Sequence, residues 1–172
     1  MQVIIAETNR LLISKMTLED APFMLELLNT PNWLKYIGDR NVKSVEEAET
    51  YLKNGVLKSY KESGFGFYKL LLKEENNKII GTSGLVKRPQ LEDVDIGFAM
   101  LPEYEGRGFG MESSLEIMKF AEYHLHLKRI VAITTPLNVN SIKLLEKLGL
   151  TYEKRIKPFD DGEELLLFAK TF

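Results

Sequence analysis

Three glycines at every second position, Gly106, Gly108 and Gly110, stand directly ahead of an apolar-periodic run in the stretch EYEGRGFGMES, residues 103–113. Glycine is a poor former of both helices and strands, so its concentration where a helix is about to start needs a reason. Helix N-termini present unpaired N–H groups and a partial positive charge, which makes them anion sites. Missing side chains let a phosphate approach the backbone, and Arg107 adds a mobile positive charge. The pattern points to a phosphate or pyrophosphate site. A tight turn that needs positive φ explains the same glycines and stays open beside it. A nucleotide P-loop requires Lys followed by Ser or Thr after its last glycine, and Met111 and Glu112 stand there instead. A dinucleotide fingerprint requires G-x-G-x-x-G and a carboxylate after the next strand; the spacing here is G-x-G-x-G and that strand ends Ile133-Thr134-Thr135. His124 and His126 are the only histidines. Two apart at a helix end, they do not share a face, so no metal site is expected.

The chain that must position this turn has 172 residues, and residues 1–172 are expected to form a single domain. Hydrophobic residues make up 44%, enough to bury a core. A net charge of −2 gives no electrostatic footprint for nucleic acid, and no nucleic-acid partner is expected. The longest apolar runs are far short of a membrane span, and no membrane partner is expected. The stretch MQVIIAETNR has neither a basic start nor a long apolar run, so no signal peptide is expected and the cytoplasm is the expected compartment. The absence of cysteine excludes disulfides and a thiol nucleophile. A monomer and a homodimer are both compatible with these features.

RLLISKM (10–16) reads as a first strand, and Thr17 to Asp20 as a capping box that opens a helix running to about Asn29. A second box, Ser44 to Glu47, starts another helix. GFGFYKLLLKE, NNKIIGTSGLVKR and EDVDIGFAML then read as three consecutive strands in an antiparallel meander, with a hairpin turn at Asn76-Asn77. After the glycines, Met111, Leu115, Met118, Ala121 and Leu125 recur on one helical face. RIVAIT reads as a buried strand and residues 141–148 as a helix capped at Gly149. TYEKRIK and ELLLFAK form a closing hairpin around Asp160-Asp161-Gly162. The class is α/β (α+β) with a mixed sheet, and the strand–turn–helix–strand unit makes EDVDIGFAML and RIVAIT parallel.

With the elements in place, the glycine stretch resembles the pyrophosphate loop of the GNAT acetyltransferases, Gln/Arg-x-x-Gly-x-Gly/Ala, here Glu105, Gly106, Arg107, Gly108, Phe109, Gly110. The RimJ/RimL-like subgroup looks most similar. Its strand ending IGF, its P-x-Y and its glycine stretch appear as Ile96-Gly97-Phe98, Pro102-Glu103-Tyr104 and GRGFGME; its Asn-x-x-Ser and LEKLGF appear as Asn138 to Ser141 and LLEKLGL. ETNRLLI followed by TLEDA also looks like this subgroup, so the resemblance covers nearly the whole chain. Two positions depart from it: Glu105 replaces Gln or Arg and is expected to turn its side chain away, and Leu145 replaces a Tyr that many members use to protonate the leaving thiolate.

The resemblance implies a three-layer fold whose mixed, mostly antiparallel sheet is flanked by helices and splayed between the fourth and fifth strands. It implies transfer of an acetyl group from acetyl-coenzyme A to a primary amine, on a protein N-terminus or a small molecule, with no metal; a non-catalytic coenzyme A-binding module is the alternative. Gly106, Arg107, Gly108, Phe109, Gly110 and Met111 would hold the pyrophosphate. Backbone N–H groups around Phe98, Met100 and Leu101 would polarise the thioester carbonyl, with Gly97 permitting close approach or marking a β-bulge. Asp95 is the first choice for the base, relaying a proton through water, ahead of Glu92 and Asp93; a solvated strand carboxylate is its other reading. Asn138 would bond the pantetheine arm and Ser141 would lie near the sulfur, while helix capping explains either residue equally well. Glu112 matches a subgroup Glu or answers the helix dipole. Trp33, Tyr36 and Arg40 are implied acceptor-pocket residues, against ordinary packing.

Overall fold

Eight strands pair in the order β1-β2-β3-β4-β5-β6-β8-β7 in the computed structural model, which describes residues 2–172. They are β1 (Ile4–Glu7), β2 (Leu11–Lys15), β3 (Phe67–Leu72), β4 (Lys78–Val86), β5 (Val94–Met100), β6 (Arg129–Thr134), β7 (Thr151–Ile156) and β8 (Leu165–Thr171). The meander β2–β5 is antiparallel throughout. The β3–β4 connection spans residues 73–77, a 3-10 turn at Lys73–Glu75 followed by Asn76 and Asn77, both at positive φ, +54° and +59°, a conformation that Asn tolerates better than most residues. The helices α1 (Ala21–Leu28), α2 (Pro31–Tyr36), α3 (Val45–Asn54), α4 (Val56–Ser63), α5 (Phe109–Lys119) and α6 (Val139–Lys147) flank the sheet.

The Thr17 capping box forms, with Thr17 N–H donating to Asp20 Oδ2 at 2.8 Å and Glu19 N–H to Thr17 Oγ1 at 3.2 Å. Asp20 also accepts from the buried Lys69 Nζ at 2.9 Å, which ties the start of α1 to β3. Ser44 caps α3 through Glu47 N–H at 3.1 Å. Gly149, at φ +91°, follows α6 in the left-handed conformation expected of it.

Among the described residues β5 and β6 are the one parallel pair, and they bond only at Val94↔Ile130 and Asp95↔Val131. Beyond Asp95 the two strands part, although β5 runs on to Met100 and β6 to Thr134. These are the fourth and fifth strands of the sequence reading. An additional strand, β1, precedes them, and α2 and α4 are further elements that the sequence reading did not contain. The buried face of α5 also differs from the expected one. Leu115 is 42% exposed, while Ser113, Ser114, Ile117 and Met118 are buried. Two small side chains on the inner face let α5 lie on β4 and β5; the buried Ser113 hydroxyl donates to Phe109 O at 2.8 Å.

Candidate active site

The three glycines of the turn have different reasons to be glycine. Gly106 and Gly108 hold φ of +71° and +85°, a region that L side chains rarely adopt. Gly110 lies inside α5, where a Cβ would stand 3.0 Å from Leu144 Cδ1 and 3.6 Å from Phe98 Cδ2; it lets α5 approach α6 and β5. The tight-turn reading therefore describes the backbone, and the same turn opens a helix. The first intrahelical bond runs from Glu112 N–H to Gly108 O at 3.0 Å, which leaves Phe109, Gly110 and Met111 N–H without a backbone acceptor among the described residues. The Arg107 guanidinium lies 5.4 Å and 5.2 Å from the ring centres of Tyr104 and Phe109 and reaches Glu74 only at 3.8 Å. The Glu105 carboxylate accepts from Asn32 Nδ2 at 2.6 Å, which engages it with α2.

Where β5 and β6 diverge, a cavity of about 610 Å³ is lined by Trp33, Tyr36, Arg40, Asp95, Phe98, Asn138 and Ser141. Candidate residues from three distant stretches thus meet in one space. The turn residues 106–111 do not line it, and neither do Met100 and Leu101. Two polar atoms on its wall, Trp33 Nε1 and Thr135 Oγ1, are buried without a hydrogen-bond partner among the described residues, each a desolvation penalty of about 1–3 kcal/mol that a ligand's polar group can offset.

Asp95 is buried on β5 and accepts from Arg88 Nε at 2.8 Å. Burial pushes its carboxyl up to about 6, against the opposing pull of the Arg88 guanidinium. The reading of a solvated strand carboxylate does not hold. We expect Arg88→Gln to raise the Asp95 pKa further, by about one unit or more, since a neighbouring opposite charge is worth that much. An NMR titration of the Asp95 carboxyl carbon measures it, and an unchanged midpoint would remove Arg88 as the tuning group.

Asn138 Oδ1 accepts from Ser141 N–H at 3.2 Å, so Asn138 is the N-cap of α6 and keeps Nδ2 for other partners. Ser141 does not cap; its own N–H is the capped group, and its hydroxyl and Leu145 lie one helical turn apart on the same cavity wall.

Residues 10–151 match the family described as "Acetyltransferase (GNAT) domain". The chain belongs to the GNAT acetyltransferases. It is 26% identical over 166 residues to an uncharacterized N-acetyltransferase p20 of Bacillus licheniformis, covering 96% of this chain and 92% of that protein. In fold it is similar to a GNAT-family acetyltransferase of Bacillus anthracis, at TM-score 0.77 and 24% identity over 99% of this chain and 98% of that one. It is also similar to RimL, a ribosomal L7/L12 α-N-protein acetyltransferase solved with coenzyme A, at TM-score 0.83 and 18% identity over 99% and 98%. The protein is accordingly an N-acetyltransferase of the family that moves acetyl groups from acetyl-CoA.

Several expectations need correction in this GNAT chain. Leu101 N–H donates to Ile80 O at 2.8 Å and its side chain is buried, so it is no oxyanion donor. Alternate residues of an antiparallel strand bond to the same neighbour; with Leu101 facing β4, the N–H groups of Phe98 and Met100 face the side from which β6 has parted. Gly97 marks no bulge, since the β4–β5 register runs evenly through Gly84↔Gly97. Its absent side chain makes room for the Phe67 ring, 3.0 Å from the Cβ position. Asp93 is committed to Arg129 at 3.1 Å. Glu92 offers its carbonyl to Lys87 Nζ, and neither residue lines the cavity. His124 stacks on Phe120 with ring centres 5.4 Å apart. Arg88, Phe159, Asp161 and Glu163 line the cavity without having been candidates. The last three arrive on the β7–β8 loop because β8 inserts between β6 and β7.

No helix among the described residues is long and apolar enough to cross a membrane.

Proposed function

We propose that this enzyme acetylates a primary amine, on a small molecule or a protein N-terminus, by direct attack in a ternary complex with acetyl-CoA. The observation that carries the reading is the cavity at the β5–β6 divergence, which brings the buried Asp95 carboxylate, the parted edge of β5 at Phe98 and Ser141 of α6 together. The residues fit acetyl-CoA. The turn of Gly106 to Met111 offers N–H groups and a helix N-terminus for the diphosphate; Asn138 Nδ2 and the orphaned Thr135 hydroxyl are available to the amides of the pantetheine arm. When bound, acetyl-CoA supplies the activated acetyl group as a thioester.

Phe98 N–H, on the parted edge of β5 at the cavity, would donate to the thioester carbonyl oxygen; Met100 N–H faces the same way about 6.7 Å further along the strand and would serve the adjoining part of the bound arm. Asp95, with a pKa of about 6, is ionised at neutral pH and takes the amine proton directly or through water. Ser141 provides the hydroxyl nearest along α6 to Leu145, where a Tyr would otherwise stand, and donates towards the sulfur. Trp33, Tyr36 and Arg40 form the acceptor side. RimL's described action on a ribosomal-protein N-terminus supports including peptides among the acceptors.

The test has two parts. Calorimetry should show binding of acetyl-CoA and not of NAD. Release of free coenzyme A should then depend on one class in a panel of peptides with free N-termini and small amines. Binding without release for any amine would instead support a coenzyme A-binding module.

A further inference from the structure

Glu112 lies in the first turn of α5, where the helix dipole alone favours an acidic residue. The dipole requires no particular partner, yet both carboxylate oxygens are engaged by the β1–β2 loop. Oε2 accepts from the Thr8 hydroxyl at 2.6 Å and from Arg10 N–H at 3.2 Å, and Oε1 accepts from Arg10 Nε at 2.8 Å. Burial pushes the Glu112 carboxyl up, but the hydrogen bonds from Thr8 and Arg10 outweigh it and hold the group below its ordinary range. The Arg10 guanidinium then reaches across the glycine turn. Nη1 donates to Arg107 O at 3.1 Å, the group lies 4.1 Å from the Phe109 ring centre, and Nη2 is 3.3 Å from the Cβ position of Gly108.

We propose that Arg10, fixed by Glu112 and Thr8, is a positioning residue that holds the glycine turn in its anion-receiving conformation. The inference rests on the reading of that turn as the diphosphate site. Glycine loses more conformational freedom on ordering than any other residue. A turn with left-handed glycines at 106 and 108 and no support would be ordered only when ligand binds, and affinity would fall by that cost. The strut from the β1–β2 loop moves the ordering into folding. Arg10 is already neutralised by Glu112, so it acts through geometry rather than charge.

Coenzyme A and S-acetylpantetheine, which lacks the diphosphate, are titrated calorimetrically into the full chain and its variants. Arg10→Ala is expected to weaken coenzyme A by about tenfold or more while S-acetylpantetheine changes less than about twofold. Glu112→Gln separates geometry from charge. It removes a negative charge beside the turn, so a charge effect would tighten coenzyme A, whereas loss of the strut weakens it. Arg10→Lys keeps the cation but replaces with one nitrogen the planar fork whose Nε and Nη1 serve Glu112 and Arg107 separately; it should weaken coenzyme A as well, and it carries the test if alanine fails to fold. Unchanged coenzyme A affinity, equal loss for both ligands, or tighter binding by Glu112→Gln overturns the proposal. A wild-type chain that binds coenzyme A no better than S-acetylpantetheine overturns instead the diphosphate assignment beneath it.

Discussion

Gly108→Asp is expected to lower the affinity for acetyl-CoA by about a hundredfold or more, roughly 3 kcal/mol, with the chain still folded. Gly108 is the residue before α5 and sits at φ +85°. An L residue there costs about 1–2 kcal/mol, and Asp and Asn tolerate the left-handed region better than most. The larger effect is electrostatic. A carboxylate at this position sits where the free N–H groups of α5 would face a diphosphate, and two like charges about 4 Å apart at an effective dielectric of 20 repel by about 4 kcal/mol. Arg10 Nη2, 3.3 Å from the Cβ position, would pair with the new carboxylate and offset part of this. Gly108→Asn has nearly the same shape and backbone strain without the charge. Thermal melts should show both variants folded, with Asp no less stable than Asn because its carboxylate faces Arg10 and the start of α5, while calorimetry separates them, with Asn losing far less affinity than Asp. If Asp binds acetyl-CoA as well as Asn does, the turn is not the anion site.

Local chemistry made part of this molecule legible and long-range pairing hid the rest. The capping box at Thr17, the Asn76-Asn77 turn, the Gly149 cap and the glycine turn each depend on a few adjacent residues, so their spacing was enough. Asp95 could be named as a candidate, but strand alternation leaves the face undetermined until the register is known. The pairing Val86↔Asp95 settles it and brings Arg88, two residues past Val86, to the carboxylate. Phe159, Asp161 and Glu163 reach the cavity through the placement of β8 between β6 and β7, which no local pattern encodes. Leu115 completes an apolar period along α5, yet close packing on β4 and β5 buries the smaller Ser113 and Ser114 and leaves Leu115 outside. β1 is short and half exposed at the sheet edge, and α4 carries few apolar positions around Val56 and Tyr60, so neither produced a strong periodic signal.

Asp95→Asn should lower kcat/KM at about pH 7.5 by about a hundredfold or more, the lower part of the range for a lost general base, and leave acetyl-CoA affinity nearly unchanged. The wild-type profile should rise through a midpoint of about 6 as the carboxyl loses its proton, and this limb should be absent in the variant. A variant that keeps the limb near pH 6 would assign the titration to another group. Stability provides a second, independent reading of the same carboxyl. Its folded pKa of about 6 lies above the ordinary value of 3.8, so the folded state binds the proton more tightly than the unfolded state does. The stabilisation from the protonated, buried group is complete below the unfolded value and is lost as pH rises through about 6. At 1.36 kcal/mol per unit this amounts to roughly 3 kcal/mol. The amide that replaces the carboxyl in the variant does not titrate and has no such dependence. The stability of wild type relative to the variant, from urea unfolding, should therefore fall by about that amount between about pH 3 and about pH 7.5. Asp95 thus carries opposite demands: ionisation supplies the base for the proposed proton removal and at the same time weakens the fold, and Arg88 at 2.8 Å moderates the conflict by keeping the pKa below neutrality.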